Sequence, residues 1–432
     1  MIAMIQVLNS SWALLLGMTL VMVGNGLQGS LLGVRGAAEG FSPFMMSIIM
    51  AAYFLGFIIA SQTAPRMIQR VGHVRVFAAL GSIISAVLIL FPALPYAPFW
   101  IAGRIVLGFA FCSLYVTAES WLNNSATNET RGQALSLYMI VQMAGIIAAQ
   151  AILNLPDATG FLLFVIPSVL VSLAFAPILL TVSPTPAFET TKRMTLKTLF
   201  KSSPLGCVGM ALMGTVYAAQ YGMAAVFAVE AGLTLAQTSI FVAAFYVGAV
   251  LFQYPLGWIS DRMDRRLLIS LVAAMGGGAA VLAAVMSDNF TILTISAVLI
   301  GGAANPLYSL LIAHTNDFLD YDDMAAASAG LQFLNGIFAV AGPILTGYLM
   351  TEVGAYAFFV LIAIPMLLLT AYALYRSTRR PASDDTYDYI PVMPNASVVA
   401  VGAAQDWAIE TAEADNAQEE EARENESALS PS

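Results

Sequence analysis

Apolar residues in this chain run in long blocks, not at the spacing of a half-buried helix or strand. Twelve blocks fall at 11–34, 43–64, 76–95, 98–122, 132–153, 160–182, 205–229, 237–259, 268–286, 290–313, 325–350 and 354–376. Each is close to the ~20 residues that a helix needs to cross ~30 Å of hydrocarbon. Short polar turns separate them. The pattern predicts an all-α polytopic membrane protein of twelve transmembrane helices. No cationic run precedes the first block and no small-residue cleavage site follows it. It therefore reads as a retained helix, not a signal peptide.

One stretch occurs twice. Residues 40–75 match residues 232–267 at a constant offset of 192, without gaps. Gly40 falls on Gly232, Ser47 on Ser239, Gly56 on Gly248 and Arg70 on Arg262. The same offset sets Gln28 on Gln220 and Asn25 on Tyr217. An offset of 193 sets Gly108, Leu114 and Tyr115 on Gly301, Leu307 and Tyr308. Repeats this long, built of apolar segments, point to two pseudo-symmetric six-helix bundles. The expected division is 1–182 for the first bundle, 183–203 for a linker, 204–376 for the second bundle and 377–432 for a tail.

Composition agrees with a bilayer environment. The 432 residues are 59% apolar and 10% charged, with mean hydropathy +0.80. Soluble domains carry roughly 25% charge. The net charge of −9 belongs to the tail. Between Pro381 and Ser432 there are twelve acids against Arg423 alone. Such a segment cannot bury enough apolar surface to fold by itself, so the tail is expected to be disordered. Fourteen of the seventeen bases lie in the even-numbered turns or just after the last block. The positive-inside rule then places both termini in the cytoplasm. In the linker, the basic run TTKRMTLKTLFK suggests either a short amphipathic piece on the headgroups or a plain solvated connection. Cys112 and Cys207 fall in separate apolar blocks and imply no disulfide framework.

The turn after the eighth block reads GWISDRMDRR, with Gly257, Asp261, Arg262, Asp264, Arg265 and Arg266. It resembles the G-x3-D-R-x-G-R-R signature of the major facilitator superfamily, with Asp264 where glycine is usual. The first-half copy keeps Arg70, Gly72 and Arg75 but has Pro65 and Gln69 in place of glycine and aspartate. Arg104 and Gly108 are similar to that superfamily's R-x3-G motif in the fourth helix. Closer similarity is to the YcaD-like branch. Its residues here are Ala118-Glu119-Ser120, Arg131-Gly132, Tyr138, QYPLGWISDR at 253–262, Pro306-Leu307-Tyr308 and AGPILTG at 341–347. The resemblance implies a transporter fold of twelve helices, and a latch at the inner signature formed by Asp261 with Arg70, Arg262, Arg265 and Arg266. Gln69 cannot carry the charge in the first half.

Ionisable residues inside a membrane helix are costly, which makes them functional candidates. Arg104 could meet an anionic group of a solute, or could be a structural arginine bonding backbone carbonyls. Glu119 lies fifteen residues on, about 22 Å along a helix, too far to pair with it directly. It is a candidate proton carrier, or else an interfacial acid pairing with Arg131. Asn25, Gln28, Tyr115, Tyr217, Gln220, Tyr221, Asn305 and Tyr308 could line a central cavity with Arg104, since midplane polar groups at a repeat interface mark the expected site. Gly342-Pro343 reads as a bend with close packing. His314, with acids following, reads as solvated capping of the eleventh helix, not a metal site. No phosphate-binding glycine loop, dinucleotide fingerprint or zinc spacing occurs.

These features predict a secondary active transporter for a small organic solute, proton-coupled and working by alternating access, not an enzyme. Expected partners are the solute, protons and lipid, with no cofactor and no nucleic acid. The chain is expected to be a monomer in a bacterial-type inner membrane. Two other readings are a receptor or assembly factor on a transporter scaffold, and an uncoupled facilitator.

Overall fold

The computed structural model describes residues 2–125, 128–155, 160–180, 194–379, 389–397 and 399–407. The early part of the linker and the charged end of the tail lie outside the described residues. Among the described residues, twelve helices are long and apolar enough to span a membrane. In chain order they are α1 (Ser11–Ala38), α2 (Pro43–Val71), α3 (His73–Ala93), α4 (Ala97–Asn123), α5 (Gln133–Ile152), α6 (Leu162–Leu179), α7 (Pro204–Glu230), α8 (Leu235–Ser260), α9 (Arg265–Val285), α10 (Phe290–Asn316), α11 (Asp323–Val353) and α12 (Ala357–Ser377). All twelve expected blocks become helices. A helix satisfies its backbone polar groups internally, which hydrocarbon demands.

The repeat holds at the level of individual hydrogen bonds. After α1 the Phe41 amide donates to the Gly36 carbonyl, with Gly40 at φ +78°. After α7 the Leu233 amide donates to the Ala228 carbonyl, with Gly232 at φ +73°. This is a helix C-terminus closed through a left-handed glycine. Ser42 then caps α2 by accepting from the Met45 amide, and Thr234 caps α8 by accepting from the Gln237 amide. The offset is 192 at every step.

The same equivalence governs packing. Within the first bundle α2 crosses α4 so closely that a methyl group at Gly56 would overlap the Ile105 carbonyl, and one at Gly108 the Tyr53 carbonyl. Within the second, Gly248 stands in that relation to Val298 and Gly301 to Phe245. Small residues let membrane helices approach to backbone contact where no hydrophobic drive distinguishes helix from lipid. Gly342 of α11 meets the α7 backbone at Thr215, which is the close packing expected of that position.

For orientation, the end of the bundle with Arg70, Arg262, Arg265 and Arg266 is called the basic face. At the opposite face the bundles meet. Gly347 of α11 abuts Pro43 and Ser47 of α2, and Gly33 of α1 abuts Ala225 of α7. Near the basic face the linker forms a short helix, Leu196–Ser202, capped by Thr195 and holding Leu199 buried.

The tail departs from expectation. Residues 389–397 and 399–407 are packed against the bundle, with Val392, Met393, Ala396, Ala400 and Val401 buried in the common core. The acidity of the tail is concentrated beyond and before this stretch. From Tyr389 to Gln405 there is no charged residue.

Candidate functional site

A cavity of about 1320 Å³, its mouth included, lies between the bundles. The first bundle contributes Asn25 and Gln28 from α1, Tyr53 from α2, and Arg104 and Tyr115 from α4. The second contributes Tyr217, Gln220 and Tyr221 from α7, Tyr246 from α8, and Gln332 and Asn335 from α11.

Arg104 is 3% exposed. Its guanidinium donates to the Gln28 Oε1 at 2.5 Å and lies 4.6 Å from the centre of the Tyr53 ring. The Gln28 amide donates to Asn25 Oδ1 (3.1 Å), and Asn25 donates to the Tyr115 hydroxyl (2.7 Å). A relay of dipoles therefore runs from the cation across α1 to α4. Arg104 Nε has no hydrogen-bond partner among the described residues. No carboxylate pairs with the guanidinium among them either, so its charge is offset only by dipoles and a ring face.

Across the cavity the second bundle is organised differently. Around Gln220, α7 departs from α-helical geometry, with a π-turn over Ala219–Met223. Such turns are rare and cluster at functional positions. Gln220 is 2% exposed, and neither its Oε1 nor its Nε2 finds a partner among the described residues. Leaving both ends of a buried amide unpaired costs a few kcal/mol. The surrounding tyrosines are satisfied. Tyr217 donates to the Ala304 carbonyl at 2.5 Å, and Tyr221 donates to Asn305 Oδ1 at 3.0 Å.

Seven of the nine expected solute-binding residues thus line one cavity. Asn305 and Tyr308 stand behind it. Asn305 holds the Tyr221 hydroxyl, and Tyr308 packs edge-on against Tyr217. Sequence reading missed Tyr53, Tyr246, Gln332 and Asn335. Gln332 and Asn335 are three apart on α11, a spacing that sets two amides on one helix face. That signal was available.

Toward the basic face, Glu119 is fully buried. Its Oε2 accepts from the Ser397 amide of the tail at 2.8 Å. Beside it, Ser120 meets the buried His73 ring nitrogen at 3.0 Å. The side chain of Arg131 lies outside the described residues.

The signature turn sorts its charges by position. Asp261 Oδ1 sits 3.5 Å from Arg265 and accepts from the Tyr389 amide at 2.8 Å. Arg265, 4% exposed, also pairs with Asp317 of the α10 terminus. Arg266 pairs with Asp264 (2.6 Å), which also caps α9. The Arg266 guanidinium beside Asp264 holds that carboxyl below its usual range. Arg262 turns away, donating to the Trp258 carbonyl and stacking on that indole at 4.2 Å. Arg70 is exposed. Of the expected latch, the structure brings together Asp261 and Arg265. His314 is buried against Phe318 at 5.1 Å and is not the solvated capping residue expected.

The architecture is that of a membrane transporter with a central cavity. The family model described as Major Facilitator Superfamily matches residues 14–239 and 206–391, and the chain belongs to that superfamily. Its members here are multi-pass membrane proteins that take small-molecule substrates and are not enzymes. Similar proteins include the uncharacterized MFS-type transporter YcaD of Salmonella heidelberg (strain SL476), 23% identical over 81% of this chain and 91% of the relative. YcaD of Escherichia coli O45:K1 (strain S88 / ExPEC) is 24% identical over the same shares. Among solved structures, a variant of the nucleoside transporter NupG superimposes with TM-score 0.70 at 14% identity, over 86% of this chain and 99% of that one. A bacterial homologue of the human lysosomal transporter Spinster, inward-facing and occupied, gives 0.67 at 14% identity, over 93% and 96%. These likenesses establish the fold.

Proposed function

We propose that this protein is a secondary transporter of a small organic anion or zwitterion, proton-coupled and working by alternating access, with its basic face in the cytoplasm of a bacterial-type inner membrane. Arg104 carries the reading. A cation kept inside a membrane helix at such cost needs a purpose. Arg104 faces the cavity, is oriented by Gln28 and Tyr53, and has no acid to neutralise it among the described residues. A carboxylate or phosphate of the solute supplies the missing charge, and the unpaired Gln220 amide supplies a donor and an acceptor for its polar end. The tyrosines give the apolar walls expected of a small-molecule site.

Glu119 is the proposed proton carrier. It is a buried acid on the helix that holds Arg104, displaced from it toward the basic face. Loading and releasing a proton there would change the charge on the basic-face side of the cavity. The helix contacts at Gly33 and Gly347 close the opposite face, which supports a path for the solute on the basic-face side, where the tail segment now lies. Asp261 with Arg265 is the proposed latch, confined to the second bundle.

The test is flux in proteoliposomes with a panel of carboxylates, phosphate esters, sugars and nucleosides, with and without a pH gradient. Concentrative movement of an anionic or zwitterionic solute is expected, driven by the gradient and lost in Glu119→Gln. Movement of neutral solutes alone overturns the anion reading. Flux indifferent to the gradient leaves a facilitator, and no flux for any solute favours a receptor.

A further inference from the structure

Residues 389–397 and 399–407 follow α12 after nine undescribed residues, 380–388, and enter between the two bundles from the basic face. Their partners lie on five membrane helices. The Tyr389 amide donates to Asp261, and Gln253 of α8 donates to the Tyr389 hydroxyl at 2.9 Å. The Tyr389 ring fills the space left by the missing side chain of Gly257. At Val392 the amide donates to Ser309 Oγ of α10 (2.9 Å), and the same hydroxyl donates back to the Val392 carbonyl (3.0 Å). Asn395 donates to Gln142 of α5 (3.1 Å), the Ser397 amide to Glu119 of α4, and Gln332 of α11 to the Ala396 carbonyl. Further on, Gln405 donates to Ser328 of α11 at 2.9 Å.

Two things distinguish this arrangement from a chain end resting on a surface. The segment bridges the bundles, since α4 and α5 belong to the first and α8, α10 and α11 to the second. It also supplies part of the cavity wall, through Met393, Pro394 and Asn395. The contacts involve both Glu119 and Asp261, the residues assigned above to proton carriage and to the latch. The uncharged composition between Asp388 and Asp406 suits a buried site, while the acids on either side suit water.

We infer that Tyr389–Trp407 is a built-in plug: a peptide ligand of the chain's own cavity mouth that blocks passage on the basic face and must withdraw before solute or protons move there. The occupant is specific. The stretch uncharged from Tyr389 to Gln405 fits the wall, its backbone amides donate to the buried Glu119 and to the exposed Asp261, and its buried small residues, Ala396, Ala400, Ala403 and Ala404, let it lie close to the helices. The transport consequence rests on the cavity being the solute path; the occlusion does not.

The experiment therefore reads occlusion and transport separately. In a Cys112→Ala, Cys207→Ala background, Asn335→Cys places one thiol in the cavity wall. The full chain is reconstituted in nanodiscs and treated with a membrane-impermeant thiol reagent. Chain truncated after Arg379 and full chain carrying Ser397→Pro, which removes the amide that Glu119 accepts, are treated alike. Labelling is expected to be faster by about tenfold or more in both altered proteins, which corresponds to ~1.4 kcal/mol or more of lost closure. Equal labelling in all three overturns the plug. As a converse arm, Gln405→Cys with Ser328→Cys, whose parent side chains are hydrogen-bonded, is oxidised to a disulfide, which should hold labelling at position 335, read by peptide mass spectrometry, at the slow rate until reduction. Solute flux in the same proteins should rise with truncation and fall with the cross-link. Faster labelling with no flux for any solute leaves the plug standing and removes the transporter reading instead.

Discussion

Gln28 and Gln220 occupy one place in two copies of a single plan, and their circumstances are opposite. Gln28 spends both ends of its amide, accepting from Arg104 and donating to Asn25. Gln220 spends neither. The first bundle is thus preorganised around a charge, while the second holds an unsatisfied dipole on a locally altered helix. The duplication has been kept where it builds the scaffold, at the glycine crossings and capped turns, and lost where the bundles face each other. The same divergence recurs at the basic face, where Asp261 stands in one copy and Gln69 in the other. Shared features carry the fold, and the differences fall at the cavity and at the signature turn.

The comparison can be broken most forcefully at the shared crossings. Gly108→Val and Gly301→Val each force a side chain into the facing backbone, and overpacking of this kind costs about 1–3 kcal/mol or more. Both should lower the yield and melting temperature of detergent-purified protein by similar amounts. Gly29→Ala, with open space beside it, should change neither. A large disparity between the two valines would show that the halves are not equivalent supports.

Next in size is the charged side of the cavity. Arg104→Gln is expected to weaken binding of an anionic solute by about a hundredfold, in line with ~1.5–3 kcal/mol for hydrogen bonds to charged groups. Calorimetric titration would measure it. Gln28→Leu should weaken binding by less, because it misplaces the guanidinium without removing it.

The opposite wall should respond with the opposite sign in stability. Gln220→Leu removes an unpaired buried amide, so the melting temperature should hold or rise while solute affinity falls by about tenfold, the loss of one net hydrogen bond of ~1 kcal/mol or slightly more. A fall in melting temperature matching that of Gln28→Leu would erase the proposed distinction between the two glutamines.

Smaller effects belong to the signature turn. Asp261→Asn should slow transport while leaving the fold intact, since Arg265 retains Asp317 and a half-exposed pair is worth ~1 kcal/mol at most. Unchanged kinetics would remove the latch. The smallest effect concerns Asp264, whose folded carboxyl titrates below its usual range because of Arg266. A depressed acid contributes stability above the unfolded value, about 3.9, and loses it as pH falls through the folded one. The melting temperature should therefore decline below about pH 4, and Asp264→Asn should blunt that part of the decline.

Much of the fold was legible because bilayer chemistry writes it in large letters: apolar blocks of fixed length, bases on one side, glycines at matching offsets. The cavity was legible where a polar residue interrupts an apolar block, as at Asn25, Gln28, Arg104 and Gln220. Tyr53 and Tyr246 were not, because an aromatic ring in an apolar block is ordinary packing until its neighbours are known. Asn305 and Tyr308 were assigned to the wall but act behind it, since sequence gives the depth of a residue and not its helix rotation. The tail was misjudged through averaging. Twelve acids set the composition of the whole segment and hid a seventeen-residue uncharged stretch within it.

The paired turns at Gly40 and Gly232 have a mechanical meaning. In each, the last carbonyls of one helix and the first amides of the next are already taken up, by the glycine closure on one side and the Ser42 or Thr234 cap on the other. A joint with its bonds committed transmits torque and does not absorb it. The hairpins α1–α2 and α7–α8 are therefore stiff levers with their elbows at the closed face.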